Sequence, residues 1–162
     1  MDLIDATKTG IQDFRELLDS GVDPNLKDHD GDTALIYESN FRRTEFVRLL
    51  LDRDADPDIQ NHYGDTALIK ASMQGNIENV RLLLDHEADP NLQDDLGNTA
   101  LMYAASSRGY KVIVELLLDH GANPNITNNR GNTALMRASE RGNTEIVKLL
   151  LDRGADPNIQ DN

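Results

Sequence analysis

The apolar residues of this chain come in short bursts separated by polar turns, and the bursts alternate in kind. A triple leucine stands at 49–51, 82–84, 116–118 and 149–151, and about fifteen residues ahead of each an Ala-Leu pair follows Thr33, Thr66, Thr99 or Thr133. Each threonine is placed to accept a hydrogen bond from a free first-turn N–H, which predicts a first helix of about eight residues starting there. Gly75, Gly109 and Gly142 mark the turn after it, with Arg42 in that place in the first full unit. A second helix follows. Asn76 and Asn143 are its predicted N-caps, Glu78 and Glu145 lie in its positively polarised first turn, and its apolar side runs into the leucine triplet. Gly21, Gly121 and Gly154 then fit a left-handed C-terminal cap, with Asp54 and Glu87 occupying that position in two units.

The five prolines expose the period. Pro24, Pro57, Pro90, Pro124 and Pro157 are separated by 33, 33, 34 and 33 residues, and each is flanked by Asp or Asn, a string that predicts an extended turn into the next unit. Gly31, Gly64, Gly97 and Gly131 repeat in step, opening GDTALI, GDTALI, GNTALM and GNTALM. The one extra residue of the third full unit lies among Ala105, Ser106, Ser107 and Arg108. No single unit can bury its leucines; stacking on neighbours does so, which is the logic of a solenoid.

In its period, its Gly-x-Thr-Ala-Leu start, its triple leucine and its Gly-Ala-Asp-Pro-Asn exit, nearly the whole chain resembles the ankyrin repeat family. The resemblance implies an all-α ankyrin-repeat solenoid of stacked helix-turn-helix units joined by hairpin-like turns. The chain departs from the family's Thr-Pro-Leu-His string, carrying Thr-Ala-Leu-Ile or Thr-Ala-Leu-Met, so the Thr to His hydrogen bond typical of the family is missing. Residues 1–162 are read as a single domain, with an N-terminal capping unit at 1–28 and repeats at 29–61, 62–94, 95–128 and 129–162. The capping unit has Asp13 and Glu16 where the repeats place Phe46, Asn79, Ile113 and Ile146, and Leu49, Leu82, Leu116 and Leu149, as suits a face turned to water. The last repeat keeps Ile146, Val147, Leu149, Leu150 and Leu151 with no such replacement, and Ile146, Leu149 and Leu150, where a cap would be polar, predict an uncapped, adhesive end.

Composition narrows the function. With 29 acidic and 16 basic residues the chain carries a formal charge of -13, which repels nucleic acid phosphates. It has no cysteine, so it has neither disulfides nor thiolate chemistry, and this fits a reducing, cytoplasmic setting. No apolar run approaches the roughly 18 residues of a membrane span, and the acidic start MDLIDATKTG is unlike a secretion signal. Asp28, Asp30 and Asp32, or Asp52, Asp54, Asp56 and Asp58, invite a calcium reading. The EF-hand spacing fails: the sixth and twelfth places hold Thr33 and Ser39 in one case and Pro57 and Tyr63 in the other. His29 and His62, like His86 and His120, hold matching places in adjacent units, whereas zinc needs ligands about 2 Å from one ion. No nucleophile-elbow, phosphate-loop or metalloprotease string occurs, so no metal, cofactor or catalytic residue is assigned.

Places where all units agree report stacking, and exposed places where they differ report what each unit presents. The resemblance puts partner binding on the concave side, made from the turn tips before each opening glycine and from the exposed face of the first helix. The tip residues are Asp30, Tyr63, Leu96 and Arg130, four chemistries in four units. The residue four after the threonine is Tyr37, Lys70, Tyr103 or Arg137, and Phe41, Met73, Arg108 and Arg141 stand at or near the helix ends. With Asp32 and Asp65 beside the tips, these are the candidate partner-binding residues, Tyr37 and Tyr103 being open to a second reading as half-buried spacers between units. Unit by unit the charge runs -4, -4, -4, -1 and 0, and on the proposed face Asp30, Asp32 and Asp65 lie toward one end while Arg108, Arg130, Arg137 and Arg141 lie toward the other. Such a gradient would orient an elongated protein partner. The leading expectation is a monomeric, non-enzymatic protein-binding module; the alternative is a structural or regulatory segment of a longer chain, docking or self-associating through its C-terminal end.

Overall fold

The computed structural model describes residues 3–162, and every structural statement below concerns those residues. They form ten helices: α1 (Leu3–Thr9), α2 (Ile11–Asp19), α3 (Ala34–Asn40), α4 (Thr44–Leu51), α5 (Ala67–Gln74), α6 (Ile77–Asp85), α7 (Ala100–Ala105), α8 (Lys111–Asp119), α9 (Ala134–Glu140) and α10 (Thr144–Asp152). The four threonines cap α3, α5, α7 and α9 as their spacing requires, each accepting from the N–H three residues on at 3.2–3.3 Å. Consecutive helices pack as antiparallel pairs, and the pairs stack in two rows: α1, α3, α5, α7 and α9 inside, and α2, α4, α6, α8 and α10 outside. Ala71, Ala104 and Ala138 of the inner row are fully buried, and such small residues let neighbouring helices approach closely.

The core runs the length of the stack. Leu35, Leu68 and Leu101 of the inner row meet Leu50, Leu83 and Leu117 of the outer row, all of them buried. Each such leucine contributes about 1.5–3 kcal/mol of burial that no isolated helix pair could collect. At the N-terminal end Leu3, Ala6, Phe14 and Leu18 are buried, Phe14 meets Phe46 edge to face at 5.0 Å, and Asp13 and Glu16 stay exposed.

Two expectations need correction. Asn143 does not cap α10: its Nδ2 instead donates to the Ala105 carbonyl of the preceding unit at 2.9 Å, whereas Asn76 does cap α6 by accepting from the Asn79 N–H at 3.3 Å. The open C-terminal face is also made of only part of the expected residues, Val147 and Leu151, and not of the three expected to form its adhesive surface. Ile146 and Leu150 are buried and Leu149 is partly buried, while Met136, Val147, Leu151 and Ile159 line an apolar cleft of about 320 Å³ at that end. Leu151, 43% exposed, is the counterpart of the buried Leu51 and Leu84, so it occupies the position that a further unit would cover.

The left-handed turns fall where the glycine pattern places them. Gly21, Gly121 and Gly154 have φ of 86–88°, and Asp54 and Glu87 adopt the same conformation at 59° and 62°. A side chain in this region costs about 1 kcal/mol relative to glycine. Asp54→Gly and Glu87→Gly are therefore each expected to raise the urea midpoint, by a few tenths to about 1 kcal/mol of stability. A fall in both midpoints would show that the unfolded-state entropy added by glycine outweighs the relief of strain.

Candidate partner-binding face

The face is built on its turns. The residue three places before each tip glycine folds its side chain back over the turn, so that Asp28, Asn61, Asp94 and Asn128 each accept two backbone N–H groups through one Oδ1 at 2.8–3.0 Å. The tips are then tied to one another. Asp30 accepts from the His62 N–H, Tyr63 from Asp95, Leu96 from Asn129 and Arg130 from Asn162, each at 3.0–3.1 Å. Gln60 and Gln93 add a second tie, each donating Nε2 to its own tip glycine and to the following unit. The proline-centred exits form a parallel ladder, with Asn25, Asp58, Asn91 and Asn125 each accepting an N–H from the next exit at 2.7–2.8 Å. A tip side chain therefore projects from backbone held on both sides.

The candidate residues divide between presentation and structure. Tyr63 and Leu96 are 61% and 65% exposed, on adjacent tips, with Phe41 at 52% and Met73 at 39% on the inner-helix ends. Phe41 packs on the half-buried Tyr37 ring at 4.8 Å, and the Arg43 guanidinium stands 6.0 Å from its centroid. Asp30, Arg108, Arg130 and Arg141 are exposed, and Arg137 is half-buried, 3.7 Å from Glu140. Three others are engaged internally. Asp65 is buried and pairs with Lys70 at 2.5 Å. Asp32 is half-buried and accepts from Asn61 at 2.7 Å; burial pushes its carboxyl up against the lowering effect of that bond. Tyr103 donates its hydroxyl to Asp94 at 2.5 Å and accepts from Asn98 at 3.2 Å; burial first, and the Asp94 bond second, hold the phenol at about 12. Tyr103 is thus one of the spacers that its second reading described.

Sequence comparison between units missed the polar positions that agree in type yet differ in charge. Asp32 and Asp65 become Asn98 and Asn132 in the later units, which removes the carboxylate directly after the tip glycine from the arginine-bearing end of the face. The change is visible in the strings GDTAL and GNTAL, and its meaning depends on what stands across the inner helix.

One group of potential metal ligands occurs among the described residues, Asp28, His29 and Asp30. Asp28 Oδ1 is already committed to two backbone N–H groups and His29 stands 3.2 Å from Asp30, so the cluster is explained by its own turn. His86 and His120 set Nδ1 2.8 Å from the Leu82 and Leu116 carbonyls at the ends of α6 and α8, a helix-terminal role.

A stack of helix pairs with a fixed period, tied tip to tip, is what family comparison can test. A family model described as ankyrin repeats matches residues 3–94 and 87–161. The chain belongs to the ankyrin repeat family. Ankyrin repeats generally act in protein–protein interaction and are typically non-enzymatic. No curated protein matches this ankyrin repeat chain. None of its described helices is long and apolar enough to cross a membrane.

Proposed function

We propose that this ankyrin repeat chain is a cytoplasmic, monomeric, non-enzymatic module, a single domain with residues 1–28 as its cap, that holds an elongated protein along its inner, concave face. The observation that carries this reading is the tip series. Asp30, Tyr63, Leu96 and Arg130 stand in order along the hydrogen-bonded ladder, an acid and a base enclosing two large exposed apolar side chains. Exposed apolar groups on backbone that is already ordered lose little entropy on binding, which makes them efficient anchors. Phe41 and Met73 extend the apolar strip onto the inner-helix ends.

Binding kinetics at two salt concentrations test it once a partner is in hand. Tyr63→Ala and Leu96→Ala are expected to raise the dissociation rate and cost about 1–3 kcal/mol each. Arg108→Ala or Arg130→Ala is expected mainly to slow association and flatten its salt dependence. Arg53→Ala, on the outer side and paired with Asp19 at 2.7 Å, is the control and is expected to bind normally. Silent inner-face variants would refute the reading.

The cleft between Met136, Val147, Leu151 and Ile159 favours a second reading, in which that end docks on a further segment or on another copy of the chain. Sedimentation at high concentration is expected to show association that Leu151→Lys abolishes. A chain that stays monomeric at all concentrations removes the self-association half of this reading.

A further inference from the structure

Resting on the inner-face reading, we propose that the cleft between α7 and α9 is a pocket for a carboxylate side chain of the partner, which is acidic at this end and basic at the other. The cleft measures about 210 Å³ and is lined by Asn98, Met102, Tyr103, Ser106, Arg137 and Arg141. Arg137 and Arg141 are four residues apart on α9 and its C-cap, so their guanidinium groups share one side of the helix. Met102 supplies an apolar wall for the methylenes of a glutamate, and the guanidinium groups supply forked donors that match a carboxylate.

The corresponding position in α5 carries its own counter-charge, which this cleft lacks. Lys70, at the position of Arg137, is neutralised at 2.5 Å by Asp65 from its own turn. The residue in the place of Asp65 ahead of α9 is Asn132, and ahead of α7 it is Asn98, so neither arginine has a carboxylate in the place of Asp65. Asp94 spends three hydrogen bonds on its own unit, Oδ1 accepting from the Leu96 and Asn98 N–H groups and Oδ2 from the Tyr103 hydroxyl, and forms no ion pair with either arginine. Arg137 is left with exposed Glu140 at 3.7 Å, a loose contact that an incoming carboxylate can replace. Overall charge of -13 disfavours a uniformly acidic ligand. The exposed Asp30, next to the turn carboxylate Asp28, sets the opposite requirement at the other end, and a partner with basic residues there and an acid in the cleft satisfies both.

The test uses a displayed library of random linear peptides selected on the whole chain, followed by synthesis of the enriched sequences. Enriched peptides are expected to carry Glu or Asp at a fixed spacing from an apolar residue. Their affinity should fall about tenfold for Arg137→Gln/Arg141→Gln. Replacing the peptide's acid by its amide should cost the native chain as much and cost the double variant nothing further, the signature of a direct pair. Peptides without acids, an unaffected double variant, or failure to enrich any acid-bearing binder would overturn the pocket. In those cases loss of binding in Tyr63→Ala/Leu96→Ala would still uphold the inner face, and its retention would remove that reading as well. Competition by inorganic phosphate beyond that of chloride at equal ionic strength would assign the cleft to phosphate groups and overturn the carboxylate.

Discussion

Gly64→Ala is expected to lose about 2–4 kcal/mol of stability, while the chemically identical change Gly121→Ala loses about 1 kcal/mol. Both glycines are left-handed, with φ of 74° and 86°, so both variants bear the same backbone strain. They differ in what a Cβ meets. At Gly121 there is nothing within 4 Å, whereas at Gly64 the added carbon would lie 2.7 Å from the Asp95 nitrogen and 2.9 Å from the Asp94 Cα and carbonyl carbon. Those are backbone atoms of the adjacent tip turn and cannot rotate away. Relieving the contact means parting adjacent tips, which stretches the Asp95 N–H to Tyr63 carbonyl bond of 3.0 Å and disturbs the Asp94 side-chain turn. Urea denaturation of the two variants side by side measures the difference. Equal losses would mean that the tips are not held as closely as the ladder implies.

Glu38→Met is expected to stabilise the chain at pH 7 by about 1–4 kcal/mol, because it replaces a buried, poorly paired carboxylate by an apolar group of similar length. Glu38 sits in α3 where the other repeats have Ala71, Ala104 and Ala138, and it is fully buried. Neither carboxylate oxygen accepts a well-formed hydrogen bond, the nearby Thr7 hydroxyl being directed to the Ile4 carbonyl at 2.7 Å, and Arg43 stands 3.7 Å away and partly exposed. Burial therefore raises its pKa above the ordinary 4.5, with the Thr7 hydroxyl and Arg43 opposing the rise less strongly. A carboxyl whose folded pKa is raised binds its proton more tightly in the folded state. Its contribution is thus fully present below pH 4.5 and is lost as pH climbs through the raised folded value. Asp32 and Asp58 are raised by burial too and act in the same direction. Acidification from neutral pH is expected to raise the thermal midpoint of the native chain, and Glu38→Met to gain less from it. A midpoint that drops as strongly in the variant as Leu83→Ala would produce would show that the carboxylate is structurally required.

The ten-helix stack could be read from the sequence almost entirely, because its determinants are local and repeated. A threonine three residues ahead of the N–H it caps, a glycine at a left-handed turn and an Asx side chain folded over a tip act within four residues. Repetition then makes each unit a check on the others. Those short-range terms set the helix starts, the period and the tips that carry Tyr63 and Leu96. Pairing across units was decided only in the tertiary structure. It turned Asn143 toward the Ala105 carbonyl, and it buried Ile146 and Leu150 while leaving Leu151 open. The same stacking buried the Glu38 carboxylate with no well-formed hydrogen bond. The physical reason is distance along the chain: a cap or turn is set by neighbours a few residues away, whereas burial and charge compensation depend on side chains about 33 residues apart that meet only when the units stack.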